Sequence, residues 1–590
     1  MLNLLDYVYK YKNKVIFFSI LLFVIHSFFF VFSLGVNTPQ SDELDFILFV
    51  KTFFDGGPWW QDSHFLQHYD HRLIIPSLIF LASSIFDKGN IVNQMYLAIS
   101  FLTIGTITLY YLLKKTNNQL TWLSIPIAAI IFNAGQYGCY LWGACAVSWF
   151  LTSACIILTI FFISKIETSR VAIILAIIFS VIASFTSFMG LQVWVIGGFG
   201  LLFLNKKRLQ SLLIWFSTAI FLFLIYFTNY THGSWKGVQI ETLFSFAGIE
   251  WVLLFLSNGL ITHLHIFNAI QVTLGIGIVI IIIGGSVFLK LKKLEFNKII
   301  PWIQLGLFGL LGSVATELGR FGIVGAVASR YIMIAAFAQI AALVIGTIVF
   351  LYWYNKLKDK RKKKFAKIIF ITIIVFLGIG ISSSYYSGWK NGQDWLTQNT
   401  SSYECLRDPI FDLKCRGIFG SERQYDNLKI LKELQLSVFS KEIEESIDPL
   451  LQDVNWKNMK LVEYGKGDIE YINNYPFLEE YYIPSETKIF VDREESTMDV
   501  GGWGIFTKKD LNVDSAYVFI DEKINSKSHL GILNQHSEIH EGKTKPSYFS
   551  GISGIIDLQK VSDGCHIISI RIVHDIEYYV ISTDSQICVK

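Results

Sequence analysis

Long apolar runs separated by short polar segments fill the chain from Val15 to about Tyr386, and this pattern stops near Trp389. A helix needs about 20 apolar residues to cross a bilayer, because each residue adds only about 1.5 Å of length. The run lengths predict an α-helical polytopic membrane bundle with about eleven spans. The predicted spans are residues 15–36, 92–113, 120–135, 144–164, 170–186, 190–204, 210–228, 267–289, 299–316, 328–354 and 366–384.

Residues 73–86 and 251–261 are apolar but shorter than a span. If residues 73–86 were a span, the orientation of every later span would be reversed, and the basic residues at Lys114, Lys115, Lys206 and Lys207 would lie outside the cell. We therefore interpret this segment as a helix at the outer interface, within one outer loop of residues 37–91. The first apolar segment also resembles a signal peptide, but its length favours a retained span.

Two further regions follow the predicted membrane module of residues 1–388. Residues 389–487 mix loops with helical periodicity and are interpreted as a connecting region. Residues 488–590 alternate polar and apolar positions in short runs broken by Gly, Asn, Asp and Ser. That pattern predicts a β-rich domain resembling a small antiparallel sandwich.

Composition and charge support the membrane assignment. Of the 590 residues, 52% are hydrophobic and 16% are charged, whereas about a quarter are charged in soluble proteins. The net charge of +3 is too small to indicate a nucleic-acid partner. Basic residues cluster around Lys12, Lys115, Lys207, Lys293 and in residues 356–367. With a cytoplasmic N-terminus, all these clusters are cytoplasmic and the C-terminal domain is extracytoplasmic.

The cysteines fall into two groups. Cys139, Cys145 and Cys155 lie in or beside predicted spans and are interpreted as small apolar residues. The second group contains two possible pairs, Cys405 with Cys415 and Cys565 with Cys588. All four cysteines are predicted to be extracytoplasmic, where disulfides persist, and the sequence leaves open whether either pair is bonded.

Asp42, Glu43 and Asp45 follow the first predicted span within a few residues, close to the lipid headgroups. Carboxylates there can act as a general base or hold a divalent cation such as Mg²⁺ or Mn²⁺ that binds phosphate. The alternative is a solvated loop. No residue is assigned as the ligand of a resident metal.

A second cluster lies in the same outer loop. His64, His68 and His71 are spaced so that a helix would place three imidazoles on one face, which would suit zinc. Asp70 and Arg72 flank His71, and a cation before an apolar helix suits a lipid phosphate better than a metal. Zinc binding, phosphate or sugar contact, and no role remain open.

Two further outer segments contain candidate binding residues. Arg320 and Arg330 stand outside against the positive-inside trend, beside Tyr331, so they could clamp a phosphate or extend to headgroups. Gln136, Tyr137 and Trp142 occupy an aromatic, glycine-containing turn. Such aromatic residues anchor helices at the interface, and their rings also stack on the apolar faces of sugars.

Together these segments resemble motifs of bacterial GT-C superfamily glycosyltransferases, over most of residues 15–390. The corresponding segments are Ser41-Asp42-Glu43, Tyr69-Asp70-His71-Arg72, Gln136 to Gly143, and Gly319-Arg320 to Ser329-Arg330-Tyr331. The family's Glu-Asn in the third motif is replaced by Gly138-Cys139, and its Asn-Glu before His-Arg is replaced by Tyr69-Asp70. These departures bear on substrate identity more than on fold.

The resemblance implies an inverting glycosyltransferase that moves a sugar from a polyprenyl-phosphate donor to an envelope glycan or teichoic-type polymer. It places the catalytic base on Asp42, with Glu43 as second choice, and phosphate contacts on Arg72, Arg320 and Arg330. Membrane lipid, which surrounds the helices, is a further expected partner. The alternatives are a transporter or flippase of lipid-linked glycan, which needs polar groups at the midplane, and a non-enzymatic glycan-binding envelope protein.

Overall fold

The computed structural model describes most of the membrane half and scattered parts of the rest. The described residues are 11–40, 42–68, 71–169, 171–203, 208–231, 240–261, 268–292, 296–322, 324–407, 422–440, 460–461, 465–474, 488–491, 497–506, 515–521, 523–531, 551–558, 561–574 and 577–589. Within some of these elements the side chains are not described, and this applies to Asp42 and to residues 401–407 and 422–426.

Helices dominate the first 440 residues. In chain order they are α1 (Lys12–Leu34), α2 (Asp42–Phe54), α3 (Ser63–Leu66), α4 (Ile74–Phe86), α5 (Ile91–Thr116), α6 (Ser124–Ile131), α7 (Tyr137–Tyr140), α8 (Gly143–Ile163), α9 (Val171–Ser184), α10 (Val193–Leu201), α11 (Arg208–Phe227), α12 (Ile240–Leu243), α13 (Phe246–Ser257), α14 (Asn268–Leu291), α15 (Phe296–Arg320), α16 (Ile332–Lys356), α17 (Lys360–Arg407) and α18 (Glu422–Glu433).

Among the described residues, eight helices are long and apolar enough to cross a membrane. They are α1, α5, α8, α11, α14, α15, α16 and α17, and each coincides with a predicted span. The other predicted spans, residues 120–135, 170–186 and 190–204, contain the shorter helices α6, α9 and α10. Polytopic membrane character is therefore confirmed, while a total of eleven spans stays a prediction.

The bundle has a buried centre and an apolar outer surface. Of the 18-residue apolar stretch in each helix, 78% is buried in α8, 72% in α15 and 67% in α16, whereas only 11% is buried in α17. Large side chains such as Phe32 and Phe221 are exposed on the outer helices, as a lipid solvent requires. In the centre, the backbones of α15 and α16 approach closely, because a Cβ added at Gly309 would lie 2.6 Å from the Ala338 nitrogen.

The two ends of the bundle differ in charge. At one end, Lys12 donates to the Asn118 carbonyl, Lys115 donates to the Ser164 carbonyl, and Thr116 contacts the Lys298 carbonyl. These contacts join the basic segments where α1 and α15 begin and α5 ends. The acidic, histidine and arginine motifs lie in the segments at the other ends of these helices. The described segments around Lys12, Lys115 and Lys298 therefore lie at the same end of the bundle, while the sidedness of the other basic clusters stays a prediction.

Short elements cover the end opposite the basic residues. The segment predicted to lie at the interface forms α4, a helix of 13 residues, and the corresponding later segment forms α13. After α13 the chain turns at Gly259, whose φ of +84° suits glycine. Asn133 donates to the Gly259 carbonyl at 2.7 Å, and Gln339 donates to the Asn258 carbonyl at 2.8 Å. These bonds satisfy backbone groups that a broken helix leaves without partners.

The C-terminal part contains an antiparallel sheet. Its described strands are β1 (Lys460–Leu461), β2 (Gly465–Asn474), β3 (Lys488–Val491), β4 (Thr497–Phe506), β5 (Ser515–Ile520), β6 (Lys523–Gly531), β7 (Gly551–Asp557), β8 (Gly564–His574) and β9 (Glu577–Val589). They are paired in the order β1-β9-β8-β5-β6-β7-β4-β2, and β1 and β3 run parallel to β9. Ile568, Ile570 and Ile572 are fully buried, as the period of two in a strand predicts.

Two predicted boundaries differ from the structure. The boundary at residue 388 lies inside α17, and one compact unit comprises residues 1–397 and 423–440. The second unit comprises residues 398–422 and 441–590. The β-rich part begins at Lys460, inside the segment predicted as a helical connection. Composition changes gradually along this region, so apolar content alone does not mark where helix gives way to strand.

The structure answers one of the two disulfide questions. Cys565 and Cys588 are bonded and pair directly across β8 and β9. The possible Cys405–Cys415 pair lies outside the described residues. Sandwich packing of the C-terminal strands, as distinct from an antiparallel sheet, stays a prediction.

Candidate functional site

The acidic motif forms the start of α2. Glu43 is fully buried, and its two carboxylate oxygens accept the backbone N–H groups of Gln40 and Ala144, each at 2.7 Å. Ala144 lies in the first turn of α8, where N–H groups lack partners within the helix. Glu43 therefore joins the amino ends of two helices. The Asp42 side chain lies outside the described residues, although α2 begins at this residue.

A buried hydrogen bond between a carboxylate and an imidazole links α2 to the histidine segment. Asp45 Oδ2 lies 3.1 Å from His68 Nε2, and both side chains are almost fully buried. Asn427 of α18 donates to Asp45 Oδ1 at 3.5 Å. At the far end of α2, a hydrogen bond from Lys51 to Glu433 of α18 raises the pKa of Lys51. Helix α18 is thus held along α2 at both ends.

The three histidines do not lie on one face of a helix, which was the arrangement that would have suited zinc. Helix α3 ends at Leu66, and His68 and His71 pair through two backbone hydrogen bonds instead. Asp70 lies between them, outside the described residues. Nδ1 of His71 accepts the Phe188 N–H at 3.4 Å, which connects this segment to the turn before α10. The His68 ring thus contacts Asp45, and the His71 ring contacts the Phe188 N–H.

Arg72 is engaged with backbone carbonyls. Its Nε donates to Tyr226 at 2.6 Å, and its terminal nitrogens donate to Leu66 and Thr228. Tyr226 and Thr228 lie at the carboxyl end of α11, where carbonyls lack helical partners and favour a cation. Arg72 therefore caps a helix and lines an adjoining cleft of about 640 Å³. Its contacts account for its burial without a bound phosphate.

The third motif packs against the fourth. Gln136 is fully buried and donates to the Ile131 carbonyl at 2.6 Å, and the ring of Tyr137 lies edge-on to Trp395. At Gly138 an added Cβ would clash with the Ser329 hydroxyl, so a larger residue would require the Ser329 side chain to move. The prediction that Cys139 and Cys145 are merely small apolar residues is wrong, because the two sulfurs form a disulfide across this turn. Sequence reasoning missed this pair because both cysteines lie among apolar residues.

The fourth motif contains both predicted arginines. Arg320 lies half-buried in the last turn of α15. Arg330 lies over the ring of its neighbour Tyr331, with the guanidinium carbon 5.4 Å from the ring centroid. Tyr331 is buried and stacks on Phe255 at 5.3 Å. Cys139 also contacts the Arg330 carbonyl, so the third and fourth motifs meet on both sides of Gly138.

Several buried polar groups beside Glu43 have no hydrogen-bond partner among the described residues. They are Asn37 Nδ2, Thr38 Oγ1, Gln40 Nε2 and Trp142 Nε1. All can donate a hydrogen bond, and buried donors are normally satisfied. Trp142 was predicted from its motif, whereas the other three were missed. Their signal in the sequence is a polar Asn-Thr-Pro-Gln segment directly after an apolar span.

A protein metal site needs several His, Cys, Asp or Glu side chains around one point. Within the described ranges, no group of three or more His, Cys, Asp or Glu side chains is arranged to hold a metal ion. Asp42 and Asp70 are outside that search. The described residues thus define a polar site built chiefly from hydrogen-bond donors and arginines.

The fold and this site define a class of protein: a polytopic helical membrane protein whose polar motifs gather at one end of the bundle, opposite the basic segments. No protein-family model matches the sequence, and no curated protein sequence is significantly similar to it.

Proposed function

We propose that the protein is a membrane glycosyltransferase that moves a sugar from a polyprenyl-phosphate donor to an envelope glycan or polymer acceptor. The reaction takes place at the outer face of the membrane. The N-terminus is cytoplasmic, and the C-terminal β-rich domain is extracytoplasmic. The topology rests on the basic residues at the end of the bundle opposite the motifs.

One observation carries this proposal: segments at or directly beside four motifs that are distant in the sequence make pairwise contacts. Glu43 binds Ala144, Asp45 binds His68, and Gly138 packs on Ser329. Beside them lie buried donors without partners, which suit an oxygen-rich ligand such as a sugar phosphate.

The chemistry assigns different tasks to the two acidic residues. Asp42 acts as the general base and takes the proton of an acceptor hydroxyl. The hydroxyl oxygen forms a bond to the anomeric carbon from the face opposite the phosphate, and configuration is inverted. The bond between the anomeric carbon and the phosphate oxygen breaks, and its electron pair leaves with the polyprenyl phosphate. Glu43 positions the start of α2 through its two backbone contacts.

The leaving phosphate needs positive charge. Arg320 and Arg330 supply it, because a planar guanidinium forms two parallel hydrogen bonds to a phosphate. Arg72 contributes indirectly by holding the end of α11. Tyr137 and Trp142 form the aromatic border of the site, and the apolar tail of the donor lies between lipid-facing helices.

The test is sugar transfer from a panel of synthetic polyprenyl-phosphate sugars, with the purified protein in lipid nanodiscs and with and without chelator. Asp42→Asn should lose transfer while its thermal stability stays at the wild-type value. Asp55→Asn is the matched control, because this exposed carboxylate lies just beyond the other end of α2 and should transfer normally.

A fully active Asp42→Asn protein would remove the proposed base. In a second assay the wild-type protein is reconstituted in liposomes. If it transfers no sugar but moves lipid-linked glycan across the liposome membrane, the protein is a flippase and not a transferase.

A further inference from the structure

Glu317 is a second fully buried glutamate, and its surroundings differ from those of Glu43. Neither of its carboxylate oxygens has a hydrogen-bond partner among the described residues. Glu43 is equally buried but accepts two backbone N–H groups. The contrast separates a carboxylate that completes the fold from one that the fold leaves unsatisfied.

An unsatisfied carboxylate in the interior of a membrane bundle is costly, and such residues are usually retained for function. A carboxylate that stabilises the fold would acquire donors, as Glu43 has done. Glu317 lies in the last turn of α15, at the same end of the bundle as the proposed site. Its position therefore indicates a ligand-binding role.

The neighbouring helix packs closely on this carboxylate. A Cβ added at Gly248 would lie 2.0 Å from the Thr242 carbonyl oxygen and 2.8 Å from Glu317 Oε1, so glycine lets the first turn of α13 lie directly against the carboxylate. Gly248 is in the first turn of α13, which Ser245 caps by accepting the Gly248 N–H at 3.0 Å. The amino end of a helix of this length favours a negative charge. The Glu317 carboxyl group lies beside this helix end but has no hydrogen-bond donor among the described residues.

Aromatic rings continue from this position. Trp251 lies one turn after Gly248 on α13 and stacks on Phe255, which in turn stacks on Tyr331. Arg330 lies over the Tyr331 ring on the other side of the chain of rings. A carboxylate accepts hydrogen bonds from hydroxyl groups, aromatic rings pack on apolar C–H faces, and a guanidinium binds phosphate. A sugar phosphate presents all three kinds of group.

We propose that Glu317 binds hydroxyl groups of the sugar that is transferred and thereby determines which sugar is accepted. This inference rests on the proposed glycosyltransferase function. In the described state, the first turn of α13 closes over the carboxylate, so sugar binding displaces that turn at Gly248. Glu317 is a specificity residue and takes no part in the base step assigned to Asp42.

The experiment compares Glu317→Gln with Glu43→Gln, since both changes keep the shape of a fully buried side chain and replace its carboxyl group by an amide. Without ligand, Glu317→Gln should melt at or above the wild-type temperature, because no hydrogen bond of the carboxyl group is lost. Glu43→Gln should melt below it. With donor, Glu317→Gln should raise KM by about tenfold or more with little change in kcat. It should also reduce the preference of the enzyme for the natural donor over deoxy analogues.

A Glu317→Gln protein that melts below the wild type, with unchanged KM and unchanged preference among donors, would overturn the proposal. If the wild type transfers no sugar, the glycosyltransferase function fails, and Glu317 is then judged by binding alone. Quenching of tryptophan fluorescence by a panel of sugar 1-phosphates provides that readout. A ligand that binds the wild type and not Glu317→Gln supports the site, whereas no binding by the wild type removes it.

Discussion

Replacement of Glu43 by alanine tests the contact that joins the acidic motif to the third motif. The change removes both acceptors and leaves the N–H groups of Gln40 and Ala144 buried without partners. A hydrogen bond to a charged group contributes about 1.5–3 kcal/mol, and an orphaned buried donor costs a comparable amount. The free energy of unfolding should therefore fall by about 3–5 kcal/mol for Glu43→Ala.

Glu43→Gln should lose less, because the amide oxygen still accepts one of the two N–H groups. The measurement is unfolding of the detergent-solubilised protein, followed by tryptophan fluorescence in both variants and the wild type. A Glu43→Ala protein within about 0.5 kcal/mol of the wild type would refute the anchoring role, because changes of that size are ordinary for surface positions. A Glu43 variant of normal stability that has lost transfer would instead identify Glu43 as the base.

Two further predictions concern the arginines and the C-terminal disulfide. Arg72→Ala should lower the melting temperature, because three backbone carbonyls lose their hydrogen-bond donor. Arg330→Ala should keep the wild-type melting temperature and weaken binding of the sugar donor by about tenfold or more. Equal stability of the two variants would contradict this division of roles. Reduction of the Cys565–Cys588 bond, which closes a loop of 23 residues, should destabilise the C-terminal unit by about 3 kcal/mol. Calorimetry with and without reductant measures the effect, and an unchanged transition in the C-terminal unit would show that the bond contributes nothing.

The candidate site was predicted from the sequence only in part. The motif residues were identified from their types and spacing, and those that the structure describes do gather at one end of the bundle. Their individual roles were not predictable, because Glu43 and Arg72 are engaged by the ends of α8 and α11. The helix end that each residue caps lies about a hundred residues or more further along the chain, and no local pattern records that pairing.

The amino-acid sequence by itself determined the class of this protein. Lipid offers no hydrogen bonds to a backbone, so apolar runs of about 20 residues must become helices wherever they occur. The positions of the basic clusters likewise follow from local composition, and the described segments around Lys12, Lys115 and Lys298 meet at one end of the bundle.

Tertiary structure decided which polar groups are satisfied. The residues around Glu43 and Glu317 look alike in the sequence, since each is a glutamate next to an apolar stretch. In the fold, Glu43 meets two N–H groups and Glu317 meets none among the described residues. The difference arises because hydrogen bonding depends on which distant backbone segment packs against each carboxylate, and only the assembled bundle specifies that.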